Sequence, residues 1–123
     1  MSAIGDQLLE IEQGFWSGDK VYYERHVDQD CLVAFTEMAG VLSNAELAAT
    51  VKQGNRWRDV EMKTVGLVMP FENVAILTYA ASAMRENGER YSALVTSGYA
   101  KRNDDWKLMF HAQTPREIAD SQG

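Results

Sequence analysis

The apolar residues at the start of the chain recur at helical spacing and predict a helix from Ala3 to Trp16. Its apolar stripe follows steps of three, four and seven residues and consists of Ile4, Leu8, Leu9, Ile11, Phe15 and Trp16. Asp6, Glu10 and Glu12 are expected to lie off this stripe, on the side that faces water. The first helix should therefore bury one apolar face against the rest of the domain.

A second helix and a hairpin should follow. Ser17-Gly18 is expected to end the first helix, and Asp19 can cap a second one that runs to about His26. Cys31 to Phe35 is a continuous apolar run of strand length, and a short strand through Val41-Leu42 can pair back on it.

Two capping signals predict further helices. Ser43 and Glu46 have the spacing of a capping box, so a third helix should begin there and end at Gly54. The run from Thr114 to Glu117 has a cap residue, a proline at the first helical position and an acidic residue, which predicts a last short helix.

Between these helices the pattern changes to long strands separated by turn residues. The four predicted strands run from Val60 to Met69, Asn73 to Arg85, Tyr91 to Lys101 and Trp106 to Gln113. Pro70 should stop the first strand, and Asn87-Gly88 and Asn103-Asp104-Asp105 are tight turns. Long strands joined by tight turns give a curved antiparallel sheet. The expected fold is α+β, a single domain over residues 1–123 in which the sheet wraps around the N-terminal helices as a half-open cone.

Composition and charge narrow the function classes. The net charge of −6, with no basic stripe, argues against nucleic-acid binding. Cys31 is the only cysteine, and the two histidines lie far apart, so neither a disulfide nor a metal site is expected. No phosphate-binding glycine loop is present, so no cofactor is expected. The chain shows no signal peptide and no apolar stretch of membrane-spanning length, which predicts a cytoplasmic protein without membrane contact.

Three segments in this order resemble the nuclear transport factor 2-like superfamily. They are Phe15-Trp16-Ser17-Gly18-Asp19, the strand Asn73 to Leu77, and the ending from Asp105 to Pro115. Within the superfamily the chain is similar to small bacterial domains grouped with the SnoaL-like cyclases and the association domain of calmodulin-dependent kinase. The resemblance covers nearly the whole chain and implies a cystatin-like α-β(2)-α-β(4) roll. It also implies a cone-shaped pocket and a homodimer formed through the outer sheet face.

The resemblance alone does not fix an activity, because its members include isomerases, dehydratases, cyclases and proteins that only bind or assemble. Ketosteroid isomerase relatives use a carboxylate base, and no carboxylate is expected at the centre of a strand here. His111 and Tyr79 are the catalytic candidates. Strand alternation puts His111 on one face of the last strand with Lys107, Met109 and Gln113, and Trp106, Leu108, Phe110 and Ala112 on the other. Which face lines the cone stays open.

Aromatic and methionine side chains supply a candidate apolar lining. The candidate ligand-binding residues are Trp16, Tyr22, Phe35, Trp57, Met69, Tyr79, Met109, His111 and Gln113. The aromatic residues could equally form an ordinary core, and His111 could be a half-buried histidine bonded to a neighbour.

Three functions therefore remain open. The first is a homodimeric protein that binds a small apolar ligand in an aromatic cone pocket. The second is an isomerase, dehydratase or cyclase with His111 as base and Tyr22 or Tyr79 as its helper. The third is a non-catalytic dimerisation module.

Overall fold

The computed structural model describes residues 3–51 and 57–116, which form three helices and six strands. In chain order the elements are α1 (Ala3–Ser17), α2 (Lys20–His26), β1 (Val27–Ala34), β2 (Ala39–Ser43), α3 (Asn44–Ala48), β3 (Arg58–Phe71), β4 (Val74–Met84), β5 (Arg90–Arg102) and β6 (Asp105–Pro115). The predicted α+β class and the helix-helix-hairpin-helix-meander order are confirmed.

The six strands form one open sheet in the order β2-β1-β6-β5-β4-β3. Neighbouring strands are antiparallel with one exception, because β1 and β6 run parallel. The β3–β4 pair contains three register shifts, and such irregularities bend and twist a sheet. The predicted curved sheet around the N-terminal helices is therefore confirmed, with one parallel pair inside it.

The helix caps follow the sequence signals. The Asp19 carboxylate accepts a hydrogen bond from the Tyr22 backbone N–H at 3.0 Å. The capping box is complete, since the Ser43 hydroxyl accepts from the Glu46 N–H and the Glu46 carboxylate accepts from the Ser43 N–H. α3 ends at Ala48 and is shorter than predicted, while the expected stop at Gly54 lies outside the described residues.

Two predictions based on proline are wrong. Pro70 lies inside β3 instead of ending it, and Thr114 and Pro115 belong to β6 instead of starting a helix. β3 is an edge strand, and Pro70 falls within a register shift, where no ladder hydrogen bond is required of it. Thr114 and Pro115 pair with β5, and the Arg116 N–H continues the ladder to the Ser92 carbonyl at 2.8 Å. Glu117 lies outside the described residues.

Both predicted tight turns are confirmed by the backbone. Gly88 has a φ of 91°, and its N–H donates to the Arg85 carbonyl at 2.9 Å. Asn103 and Asp104 have φ values of 50° and 71°, as a two-residue hairpin turn between twisted strands requires.

The core lies between the helices and the concave face of the sheet. Every second residue of β4, from Ala75 to Ala83, is buried there, together with Leu8, Phe15 and Trp16 of α1. None of the helices in the described ranges is long and apolar enough to cross a membrane.

The convex face of the sheet carries a continuous row of mostly apolar residues, called the outer row below. Cross-strand pairing links one residue from each strand: Val41, Leu32, Phe110, Gly98, Ile76 and Val68. Val41 and Val68 are more than 60% exposed and Leu32 is 47% exposed. A row of apolar side chains is unusual on the water-facing side of an antiparallel sheet, which is commonly polar.

Candidate functional site

The centre of the cone is occupied by Glu12, which corrects the prediction that this residue faces water. Glu12 is fully buried, as is Leu8 one turn before it, and Trp16 one turn after it is 7% exposed. The spacing of these three residues puts Glu12 in the middle of the buried stripe of α1. No carboxylate was expected at the centre of a strand, and the one that reaches the middle of the domain comes from helix α1 instead.

Two tyrosines satisfy this buried carboxylate. The Tyr79 hydroxyl donates to Glu12 Oε1 at 2.6 Å, and the Tyr99 hydroxyl donates to Glu12 Oε2. Trp16 Nε1 donates in turn to the Tyr79 hydroxyl oxygen at 3.1 Å. Burial, followed by the negative charge of Glu12, raises the pKa of both tyrosines, so they remain protonated donors at neutral pH.

A β-bulge in β6 decides which face of that strand lines the cone. Leu108 and Phe110 lie opposite the consecutive residues Tyr99 and Gly98, so Met109 is an extra residue. The bulge reverses the alternation. As a result, His111 and Gln113 face the interior with Trp106 and Leu108, and the two faces predicted from strict alternation are wrong beyond Leu108.

Three polar groups surround His111, two beside Nδ1 and one beside Nε2. Its Nδ1 atom lies 2.8 Å from the Ser97 hydroxyl oxygen and 4.0 Å from Glu12 Oε1, and its Nε2 atom lies 3.1 Å from Gln113 Nε2. The side chain is 12% exposed. Burial lowers the pKa of His111, an effect that the negative charge of Glu12 partly opposes. The ring is therefore neutral at pH 7.

The network reaches the surface through Gln113 at one end of the cone. There the Tyr91 hydroxyl donates to Gln113 Oε1 at 2.7 Å. A cleft of about 220 Å³ opens above this pair and is called the mouth cleft below. Its walls include Phe35, Trp57, Arg85, Tyr91, Gln113 and Pro115.

The walls of the mouth cleft are ordered by ring contacts. The Trp57 ring lies 5.2 Å from the Tyr91 ring and 5.3 Å from the Trp16 ring. The Arg85 guanidinium lies over both walls, 4.9 Å from the Trp57 ring centre and 5.3 Å from the Tyr91 ring centre. The lining therefore combines flat apolar surface with one cation, one amide and the carboxylate of Glu37.

The structure brings most of the predicted site residues together. Those that meet in the cone or at its mouth are Trp16, Phe35, Trp57, Tyr79, His111 and Gln113. The prediction missed Glu12 and Ser97. The position of Glu12 on the apolar stripe of α1 was the available signal, whereas Ser97 on β5 gave none.

Three predicted lining residues lie elsewhere. Tyr22 packs between the first two helices, where its hydroxyl donates to the Ile11 carbonyl at 2.9 Å. Met69 is 36% exposed near the end of edge strand β3. Met109 is the bulge residue, and its methyl group lies beside Gly98 on the outer face. These three residues do not line the cone.

The described part of the chain offers no metal site. Among residues 3–51 and 57–116, no group of three or more histidine, cysteine, aspartate or glutamate side chains could hold a metal ion. Cys31 is fully buried, and burial raises the pKa of its thiol to about 12. A thiol in that state is not a nucleophile at neutral pH.

Comparison with known proteins identifies the fold. No protein-family model matches the chain, and no curated protein matches it in sequence. Among solved structures, an NTF2-like protein of unknown function from Prochlorococcus superposes with a TM-score of 0.75 at 17% identity, covering 97% of both chains.

Two further structures show the range of proteins that share this architecture. The association domain of CaMKII from C. elegans has a TM-score of 0.68 at 16% identity, covering 90% of this chain and 92% of that one. A ketosteroid isomerase-like protein from Parabacteroides distasonis has a TM-score of 0.70 at 14% identity, covering 94% and 90%. The chain therefore has the nuclear transport factor 2-like fold, as its sequence predicted.

Proposed function

We propose that this chain is a small-molecule-binding domain that takes a flat, largely apolar ligand at the mouth cleft and works as a homodimer. The observation that carries the proposal is the set of three aromatic side chains, Phe35, Trp57 and Tyr91, around the amide of Gln113. Flat rings supply apolar contact area, and a polar group such as the Arg85 guanidinium, which lies over two of the rings, can orient a ligand.

The position and size of the cleft limit the ligand. The interior of the cone is filled by Glu12, Tyr79 and Tyr99, so the site proposed here is the mouth and not the interior that the sequence suggested. A cleft of about 220 Å³ is smaller than the roughly 300 to 1,000 Å³ typical of drug-sized ligands. A compound with one or two rings fits this space.

The hydrogen bonds of the interior favour binding over catalysis. A general base must lie within hydrogen-bond reach of the proton that it removes. Glu12 is fully buried, its two oxygens accept the hydroxyls of Tyr79 and Tyr99, and it is not among the residues that line the mouth cleft. Although one structural neighbour is ketosteroid isomerase-like, the carboxylate here is engaged by the protein itself.

A ligand titration tests the binding site. Indole and other one- or two-ring compounds should shift the NMR signals of Trp57 and Tyr91. In Trp57→Ala the remaining Tyr91 signal should no longer shift. Phe71→Ala is the matched control, because Phe71 is 69% exposed at the far end of β3. Equal binding by both variants, or no binding by the wild type, would refute the proposed site.

The homodimer is supported by the outer row. Leu32, Val41, Ile76 and Val68 expose apolar surface on four different strands of one sheet face. Burying such a face against a second copy removes this surface from water, at roughly 25 cal/mol per Å² of apolar area. The association domain among the structural neighbours is consistent with this assembly. A dimerisation role without any ligand is the second candidate, and this row favours it.

Sedimentation of charged variants tests the dimer. Ile76→Lys should give a monomer at micromolar concentration, because the lysine would be buried unpaired in the interface. Val21→Lys is the control, since Val21 is 67% exposed on α2, away from the sheet. A wild type that sediments as a monomer would exclude the homodimer.

A further inference from the structure

The Gln113 amide separates the mouth cleft from His111. Gln113 lines the cleft, and its Nε2 atom lies 3.1 Å from His111 Nε2. Tyr91, a second cleft residue, donates its hydroxyl to Gln113 Oε1 at 2.7 Å. One side-chain amide therefore connects a surface cleft to a buried imidazole.

The orientation of this amide fixes the tautomer of His111. Because Oε1 accepts from Tyr91, the amide nitrogen of Gln113 faces the ring, and an amide nitrogen is only a donor. His111 Nε2 must then be the acceptor, with the proton on Nδ1. That proton points towards the Ser97 hydroxyl oxygen at 2.8 Å, on the side of Glu12. The ring thus directs a lone pair towards the cleft.

Displacing the amide breaks its hydrogen bonds to His111 and to Tyr91; the Tyr91 hydroxyl and the amide can both turn to water at the cleft, whereas the buried His111 Nε2 needs a new donor. A ligand hydroxyl or N–H that replaces Gln113 Nε2 would restore the bond that His111 loses. A ligand of the same shape without a donor would leave a buried acceptor unpaired. The resulting difference in affinity is about tenfold.

We propose that Gln113 is a displaceable cover over His111, and that the mouth cleft takes planar ring compounds whose hydroxyl or N–H group donates to His111 Nε2. This inference rests on the proposed function, because it needs a ligand at the cleft. It adds the chemical class of that ligand and the atom that selects it. Phe35 supports the placement, since its ring lies 5.7 Å from the His111 ring and also lines the cleft.

A matched pair of probes tests the proposal. Indole carries an N–H donor, and 1-methylindole has the same rings without it. Wild-type protein should bind indole about tenfold more tightly than 1-methylindole in an NMR titration. Nitrogen-15 spectra should show His111 Nε2 unprotonated in the free protein and shifted by indole.

Substituting Gln113 shows whether its amide covers His111 or instead binds the ligand. Gln113→Ala should bind indole more tightly than wild type, because no amide has to be displaced, and Gln29→Ala on exposed β1 surface should bind as wild type does. Weaker binding by Gln113→Ala, equal affinity for the two probes, or a proton on Nε2 would overturn the cover. If neither probe shifts the Trp57 and Tyr91 signals, both the cover and the proposed ligand-binding function fail. If both bind equally, only the cover fails.

Discussion

Replacing Glu12 measures how much the buried carboxylate stabilises the interior of the cone. Each of its two carboxylate oxygens accepts a hydroxyl hydrogen bond from a buried tyrosine, Tyr79 or Tyr99. Hydrogen bonds to a charged group contribute about 1.5 to 3 kcal/mol each. Glu12→Leu removes both bonds and leaves two buried hydroxyls without an acceptor. The expected loss in the free energy of unfolding is about 3 to 6 kcal/mol, a large share of the roughly 5 to 15 kcal/mol of a typical domain.

Glu12→Gln is the finer substitution, because it keeps the shape of the side chain. It replaces one of the two acceptor oxygens by an NH2 group that can only donate, so one tyrosine hydroxyl loses its acceptor and a loss of about 1 to 3 kcal/mol is expected. Tyr99→Phe should lower the free energy of unfolding much less in the Glu12→Gln background than in the wild type. The difference is a coupling energy of about 1 kcal/mol or more between the two residues.

Urea unfolding at fixed protein concentration, followed by fluorescence and far-UV circular dichroism, measures these free energies. Glu10→Gln is the control, because Glu10 lies two residues earlier on α1 and is exposed. If Glu12→Gln and Glu10→Gln unfold at the same urea concentration, the buried carboxylate contributes nothing to stability and its hydrogen bonds to the two tyrosines do not hold the interior together.

Three further predictions follow from single contacts and from pKa shifts. Gly14→Ala would place a methyl carbon 2.0 Å from the Tyr22 hydroxyl oxygen, so it should destabilise by about 2 kcal/mol or more despite the helix preference of alanine; a melting temperature at or above the wild type would contradict this. Because burial lowers the pKa of His111 below 6.5, stability should be complete above about pH 6.5 and decrease as the pH falls. In His111→Gln the free energy of unfolding, measured with urea from pH 7 to 5, should decrease less steeply than in the wild type. An equal decrease would show that His111 does not cause the pH dependence. Burial and the Glu12 charge raise the pKa of Tyr99 above 10.0, so stability should fall as the pH rises above 10, less steeply in Tyr99→Phe. Identical alkaline slopes would exclude this role for Tyr99.

Local sequence signals predicted the elements that depend on local contacts. The capping box at Ser43 and Glu46 depends on two hydrogen bonds between residues three apart, and Asn87-Gly88 depends on one backbone conformation. Such features are visible in a few consecutive residues, whatever the rest of the chain does. Pro70 and Pro115 show the limit, because their tolerance depends on strand neighbours that a local pattern does not contain.

The site depended on partners distant in sequence. The sequence favours a water-facing Glu12, because a charged residue is rarely buried without partners and its partners are 67 and 87 residues away. The extra residue at Met109 left no mark in the alternation, yet it decided which side of β6 faces inward. A charged residue spaced on an apolar helix stripe, with unassigned tyrosines elsewhere in the chain, is the pattern to examine in similar sequences.

The parallel pairing of β1 with β6 has a consequence for synthesis of the protein. β1 ends at Ala34, and its partner strand begins at Asp105, about 70 residues later. At a translation rate of about 5 to 20 residues per second, the β1–β2 hairpin waits roughly 4 to 14 s before its partner has been made. During that time Cys31 and Val33, which are buried in the finished domain, lack their cover, and the exposed strand edge is open to aggregation. Ribosome-bound chains that stop before β6 should therefore be the ones that chaperones recognise.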